Sequence, residues 1–173
     1  MPPPVSQHSH LLKFLLASVA SIFIGTMHGM LQVQPPIRAW LDSIGSPLSG
    51  PGHMIDPLAH AHINLVGGVT ILTMGVIYYF FPLFSGREIY SKKLINHSFW
   101  WTLIGVLIFY CAQMVFGIWE GTLLLAGKSD ALNQLHRFYG PTVAVGGSVM
   151  AVGFFLYFIN IGMSLLRGQK NTA

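Results

Sequence analysis

Two histidines two positions apart, His60 and His62, open a long apolar run that starts His62-Ile63-Asn64-Leu65 and closes on Tyr78-Tyr79-Phe80-Phe81-Pro82. An imidazole held at a fixed depth in lipid is costly without a partner, and a metal is a common partner. Three of the four apolar segments bring histidine to one side of the membrane: His28 in the first, His60 and His62 in the second, and His136 just before the fourth. The chemistry this implies is axial ligation of a haem iron near one membrane face. The alternative is a copper or zinc site built from His28, His60 or His62 and His136, because imidazole suits several metals.

The elements that would position these side chains follow from composition. Of the 173 residues, 53% are hydrophobic and only 8% charged, where soluble domains average about a quarter charged. Crossing a bilayer core of about 30 Å takes roughly 20 apolar residues. Four segments qualify: Leu12 to Gln34, Leu58 to Leu83, Phe99 to Trp119, and Pro141 to Leu166. The expected fold is all-α, a polytopic membrane four-helix bundle over residues 12–166, with a disordered tail over 1–11 and a short tail over 167–173. The Met1-Pro2-Pro3-Pro4 start, Lys13 as the only early positive charge and the lack of a small-residue cleavage site argue against a secretory signal.

Orientation follows from the basic residues. With the N-terminus cytoplasmic, six (Lys13, Arg87, Lys92, Lys93, Arg167, Lys170) lie inside and three (Arg38, Lys128, Arg137) outside, the bias expected for an N-in, C-in protein of a bacterial-type inner membrane. The net charge of +4 then reflects topology. Without an aromatic-basic patch it gives no sign of nucleic-acid binding. The single cysteine, Cys111, lies within the third span, and no Cys-x-x-Cys-His sequence is present, so covalent c-type haem attachment is excluded.

Helical geometry separates the candidates. At about 100° per residue, His60 and His62 project roughly 200° apart and cannot both face one iron. His60 shares its face with Asn64, Gly67 and Ile71, and His62 with Val66, Val69 and Thr73. Periodicity therefore prefers His60 as the inward residue. In the first span Ser21, Gly25 and Gly29 form a stripe of small residues that lets two helices approach closely. His28 lies beside that stripe, and both a hydrogen bond to a neighbouring span and metal ligation stay open for it.

Several stretches together carry a family resemblance. They are Gly25-Thr26 with Gly29, His62-Ile63-Asn64-Leu65 with Tyr78-Tyr79-Phe80-Phe81-Pro82, Phe99-Trp100-Trp101 with Gly117-Ile118-Trp119-Glu120-Gly121, and Gly146-Gly147 with Tyr157-Phe158-Ile159-Asn160. The chain resembles the N-terminal four helices of subunit I of the haem–copper oxidases, above all the cytochrome cbb oxidases and the related nitric oxide reductases. In those proteins an outer histidine of the second helix, in a His-Thr-Asn-Leu context, is an axial ligand of the low-spin haem. The resemblance thus moves the preference from His60 to His62.

It also implies what these four spans do not supply. The family builds its binuclear centre from later helices carrying an adjacent His-His pair and a final His-x-His, and this chain has no His-His pair. The resemblance implies at most an electron-transfer component, holding non-covalent haem b in a lipid-embedded respiratory complex with other subunits and a periplasmic electron carrier. His28, at a depth similar to His62 on an adjacent antiparallel span, is the first candidate for the second iron ligand. His136, on a capped surface helix over 129–136, is the alternate. Arg38 and Arg137 are outer cations suited to a haem propionate. Two other functions stand against this one: a non-redox structural or assembly subunit, and the copper or zinc protein.

The remaining polar residues have structural readings. Thr73, Tyr110, Gln113 and Asn160 are expected to bond across helices, and Glu120 to be an interfacial carboxylate or a partner of Arg137 or a propionate. Trp40, Trp119 and Tyr139 fit an outer aromatic belt and Tyr90 an inner one. The loop from Pro35 to Pro57, rich in Gly, Pro and Ser, is expected to cover the outer surface, with a short helix near Ile37 to Ile44.

Overall fold

The computed structural model describes residues 9–166. The tail expected over 167–173 and most of the one over 1–11, His8 included, lie outside the described residues. Every regular element among the described residues is helical, and four helices are long and apolar enough to cross a membrane.

The first span is an α-helix over Leu12–Val33, entered through a 3-10 turn at Ser9–Leu11. Pro35 and Pro36 then open a short surface helix, Pro35–Ser43, close to the position expected, because proline at the first helical positions forfeits no backbone hydrogen bond. The second span runs continuously over Pro57–Ser85 and is π-helical across Ile63–Thr70. Gly86, at a φ of 64°, ends it.

The third span, Lys92–Leu125, is far longer than its apolar stretch. Ser91 caps its start by accepting from Leu94 N–H at 3.3 Å, and Gly127, at a φ of 66°, follows its end. At 1.5 Å per residue it reaches about 50 Å, so its ends stand beyond a bilayer core. A surface helix, Ser129–His136, leads into the fourth span, Tyr139–Leu166. That surface helix lies where it was expected, but its N-cap position is Lys128, with no side-chain cap.

Small residues set the packing, and the pairs run antiparallel in constant register. Gly75 faces Phe14, Gly67 faces Ser21, Gly68 faces Ile22, Gly25 faces Asn64 and Gly29 faces His60, which seats the second span on the first. The stripe Ser21, Gly25 and Gly29 is thus the contact face the spacing indicated. Between the third and fourth spans the pairs are Gly153 with Thr102, Gly105 with Met150, and Gly146 with Phe109.

A methyl group on Gly146 would meet the Phe109 backbone N and Cα at 2.8 and 2.9 Å, whereas its neighbour Gly147 has open space. Gly146→Ala is therefore expected to lower the thermal midpoint of the detergent-purified protein. Gly147→Ala should leave it unchanged or raise it, since alanine favours a helix interior by roughly 0.5–1 kcal/mol. Equal effects from both would contradict this packing.

The half of the bundle nearer the start of the first span holds the main apolar core, with Phe14, Ile71, Met74, Tyr78, Ile95, Phe99 and Tyr157 all buried. Phe14 lies edge-on to both Tyr78 and Phe99. Asn160, fully buried, donates to the Ser91 carbonyl at 3.0 Å and accepts from Ser91 N–H at 3.0 Å, tying the fourth span to the start of the third. This is the cross-helix bonding expected of Asn160. Thr73 departs from that expectation: it is exposed, and its hydroxyl donates to the Val69 carbonyl of its own helix at 2.8 Å. A hydroxyl facing lipid is satisfied most directly one turn back along its own backbone.

Candidate functional site

One end of the bundle, where the first span finishes and the second begins, carries three distinct groups of polar side chains. The first lies where the first three spans meet. The His28 and His60 rings stand 5.9 Å apart between centroids, and His28 stands 5.8 Å from the Tyr110 ring. His28 Nδ1 lies 3.3 Å from the Tyr110 hydroxyl and Nε2 lies 3.4 Å from Gln32 Nε2. Tyr110 thus bonds across helices, as expected.

His60 packs on Gly29, with a methyl position on that glycine 3.1 Å from its ring. His60, Asn64 and Gly67 form the face turned to the first span. His60 Nδ1 and Asn64 Oδ1 are buried without a hydrogen-bond partner. A buried polar atom in that state costs about 1–3 kcal/mol, so this is the least satisfied polar patch of the second span.

The second group centres on His62, half-buried on a different face of the same helix. Its ring lies 4.4 Å from that of Phe109 on the third span. Its Nδ1 donates to the Leu58 carbonyl at 2.8 Å. A carbonyl only accepts, so the proton sits on Nδ1 and the Nε2 lone pair is left for a metal. That tautomer, fixed by a hydrogen bond from the other ring nitrogen, is the one metal-ligating histidines use. The ligand chemistry of His62 fits a haem iron. The structure brings His28 to His60 and Tyr110, while the ring neighbour of His62 is Phe109.

The third group is one the sequence did not reveal. Glu120, expected at the interface, is fully buried on the third span. Its Oε1 lies 2.9 Å from His136 Nδ1, and its Oε2 accepts from Gly52 N–H at 2.8 Å. Arg137, the partner weighed for it, is exposed. The Pro35-to-Pro57 loop does not simply cover the surface but folds inward. Its His53 is 1% exposed and its Asp56 5% exposed.

Asp56 Oδ2 accepts from the Tyr139 hydroxyl at 2.8 Å and stands 3.2 Å from His53 Nε2, while His53 Nδ1 contacts the Gly50 carbonyl. Tyr139 therefore serves this cluster instead of an aromatic belt, and Gln113 approaches its hydroxyl at 3.4 Å. The signal available in the sequence was the Gly117-to-Gly121 spacing. Those two glycines form a seat for Met54, and a seat for a loop residue looks the same in sequence as a seat for a helix.

His53 and Asp56 lie outside the spans, and each favours the charged state of the other. Burial alone would push the His53 imidazole down, but the Asp56 and Gly50 contacts and the Asp56 and Glu120 charges together raise its pKa above 6.5. Burial alone would push Asp56 up, yet hydrogen bonds from His53, Tyr139 and the Leu58 backbone, with the His53 charge, hold it below 3.8.

The raised histidine contributes stability that is complete below its unfolded value and lost as pH rises through its folded one. The lowered carboxylate contributes stability present above its unfolded value and lost on acidification. The loop is thus held most firmly between about pH 4 and about pH 6.5. The thermal midpoint in detergent should fall as pH is raised from about 6 to about 9, and His53→Gln should flatten that decline. An unchanged slope in the variant would remove His53 as its source.

Arg38 pairs with Asp42 at 3.6 Å. It lines an open cavity of about 400 Å³ with Gln32, Leu41, Leu48, Ile55 and Pro57, beside the start of the second span. Among the described residues no group of three or more His, Cys, Asp or Glu side chains is arranged to hold a metal ion, so the proposed triad of His28, His60 or His62 and His136 is not assembled.

Comparison with known proteins agrees with the motifs of the spans. The model of the family described as cytochrome c and quinol oxidase polypeptide I matches residues 4–149. The chain is 29% identical over 166 residues to cytochrome c oxidase subunit 1 of Rhodobacter capsulatus, covering 81% of this chain and 31% of that protein. It is 28% identical over 160 residues to the Cbb3-type cytochrome c oxidase subunit CcoN1 of Stutzerimonas stutzeri, covering 87% and 31%. With a cytochrome c oxidase subunit 1 homolog of Azorhizobium caulinodans it shares 28% identity over 122 residues, 65% of this chain and 22% of the relative. The chain thus spans less than a third of the length of these curated relatives. The resemblance read from the motifs is borne out, and the chain belongs to the cytochrome c and quinol oxidase polypeptide I family, the subunit I family of the haem–copper oxidases.

Proposed function

We propose that this chain is a multi-pass inner-membrane protein, N-in and C-in, that holds non-covalent haem b through His62 and passes electrons within a respiratory oxidase- or reductase-type complex. The observation that carries the proposal is the His62 ring itself. It sits in the His-x-Asn-Leu context of the family, with Nδ1 committed to the Leu58 carbonyl at 2.8 Å and Nε2 left to ligate.

His28 is not the second ligand in this reading, because Gln32 and Tyr110 lie beside its two ring nitrogens and its ring is set against His60. The second axial position is filled from outside these four spans, which agrees with how much longer the relatives are. Arg38, which lines the cavity at the start of the second span, is the cation this reading assigns to a propionate. Haem bound here would supply one-electron redox chemistry. The role of this chain's own residues is to orient the imidazole, exclude water and neutralise carboxylate charge.

An absorption spectrum of the detergent-purified protein, with and without dithionite, tests the reading. A reducible b-type band supports it, high-spin for this chain alone and low-spin once the subunit that fills the second axial position is present. A colourless protein that takes up no added haem would favour the structural or assembly subunit instead.

A further inference from the structure

Resting on that reading, we propose that Asp56 is a positioning residue for the haem ligand: by capping the second span it fixes the carbonyl that holds the His62 ring. Asp56 Oδ1 accepts from Leu58 N–H at 2.7 Å, and the Leu58 carbonyl in turn accepts from His62 Nδ1 at 2.8 Å. Leu58 is held at both of its backbone polar groups, and one of those bonds aims the imidazole.

Three features make this cap matter more than an ordinary one. The Leu58 side chain is 54% exposed, so packing contributes little to holding its backbone. The α-helical stretch that carries both histidines is only six residues, Pro57–His62, and the π-helical segment follows directly. A short first turn has free N–H groups and few bonds to resist fraying. The cap is itself anchored, because the other carboxylate oxygen accepts from Tyr139 of the fourth span at 2.8 Å and lies 3.2 Å from His53 of the loop. The orientation of His62 is thereby tied to an element that His62 does not touch in any of its ring or hydrogen-bond contacts.

Two substitutions in the haem-loaded complex, with the subunit that fills the second axial position present, separate capping from charge. Asparagine caps as well as aspartate, so Asp56→Asn keeps the Leu58 bond and gives up the charge. Asp56→Glu keeps the charge but is a longer side chain with poor capping geometry.

The readouts are the g-values of the ferric low-spin haem, which report the imidazole plane, and the rate of haem transfer to an excess of apomyoglobin. Asp56→Asn, which keeps the cap and loses the acceptor for Tyr139 and His53, is expected to stay closer to the parent than Asp56→Glu in both. Asp56→Glu is expected to shift the g-values and release haem roughly tenfold faster, the usual scale for losing a residue that orients a metal ligand. A parent-like Asp56→Glu, or an altered Asp56→Asn beside a normal Asp56→Glu, overturns the proposal while leaving His62 as ligand. Retention of the parent spectrum by His62→Ala overturns both.

Discussion

His62→Ala is expected to abolish haem binding when the protein is purified in detergent and titrated with haemin. The imidazole is the iron bond this chain supplies in the proposed site. His60→Ala should be much milder. His60 faces the first span, where its ring packs on Gly29, and its Nδ1 has no partner to lose. The pair also distinguishes the two ways of reading the second span. A protein that keeps its haem band in His62→Ala and loses it in His60→Ala would show that the inward helical face, and not the family motif, marks the ligand.

Glu120→Ala is expected to release the Pro35-to-Pro57 loop and to lower stability by roughly 3 kcal/mol, because it removes two hydrogen bonds and leaves one buried partner and one partly exposed partner behind. Those partners are the Gly52 N–H and the His136 ring, which meet the two carboxyl oxygens at 2.8 and 2.9 Å. Met54, seated on Gly117 and Gly121 beside Glu120, should lose its place with them. Limited proteolysis between Gly45 and Asp56, followed by mass spectrometry, reads the release directly. Glu120→Gln keeps the shape and one acceptor, so it should be cut more slowly than Glu120→Ala. A Glu120→Ala protein as resistant as the parent would mean that the loop is held by its own contacts.

Membrane insertion, span number and family were legible in the chain before any contact was known. Hydropathy marks spans because lipid leaves a helix no polar alternative, and the four helices appear where the apolar runs are. The small residues at 21, 25 and 29 marked the packing face of the first span for an equally simple reason. A close approach needs small side chains at helical spacing, and the structure seats the second span on that stripe. Helix ends were less legible, since the third helix continues through charged and polar residues to Lys92 on one side and Leu125 on the other.

Tertiary structure alone decided which polar side chains meet. His53, Asp56, Glu120, His136 and Tyr139 come from a loop, two spans and a surface helix, and no periodicity links such positions. Their burial therefore could not be read from spacing, and three of them looked like surface residues. The environment of His62 was undecided for a related reason. A helical wheel gives directions relative to one helix, whereas what an imidazole meets depends on the neighbours that helix packs against. Its π-helical stretch, Ile63–Thr70, also breaks the regular turn on which such a wheel relies. Hydropathy and histidine placement were enough to indicate that imidazoles stand at one end of a membrane bundle. Packing determined which rings they meet: His28 stands against His60 and Tyr110, and His62 against Phe109.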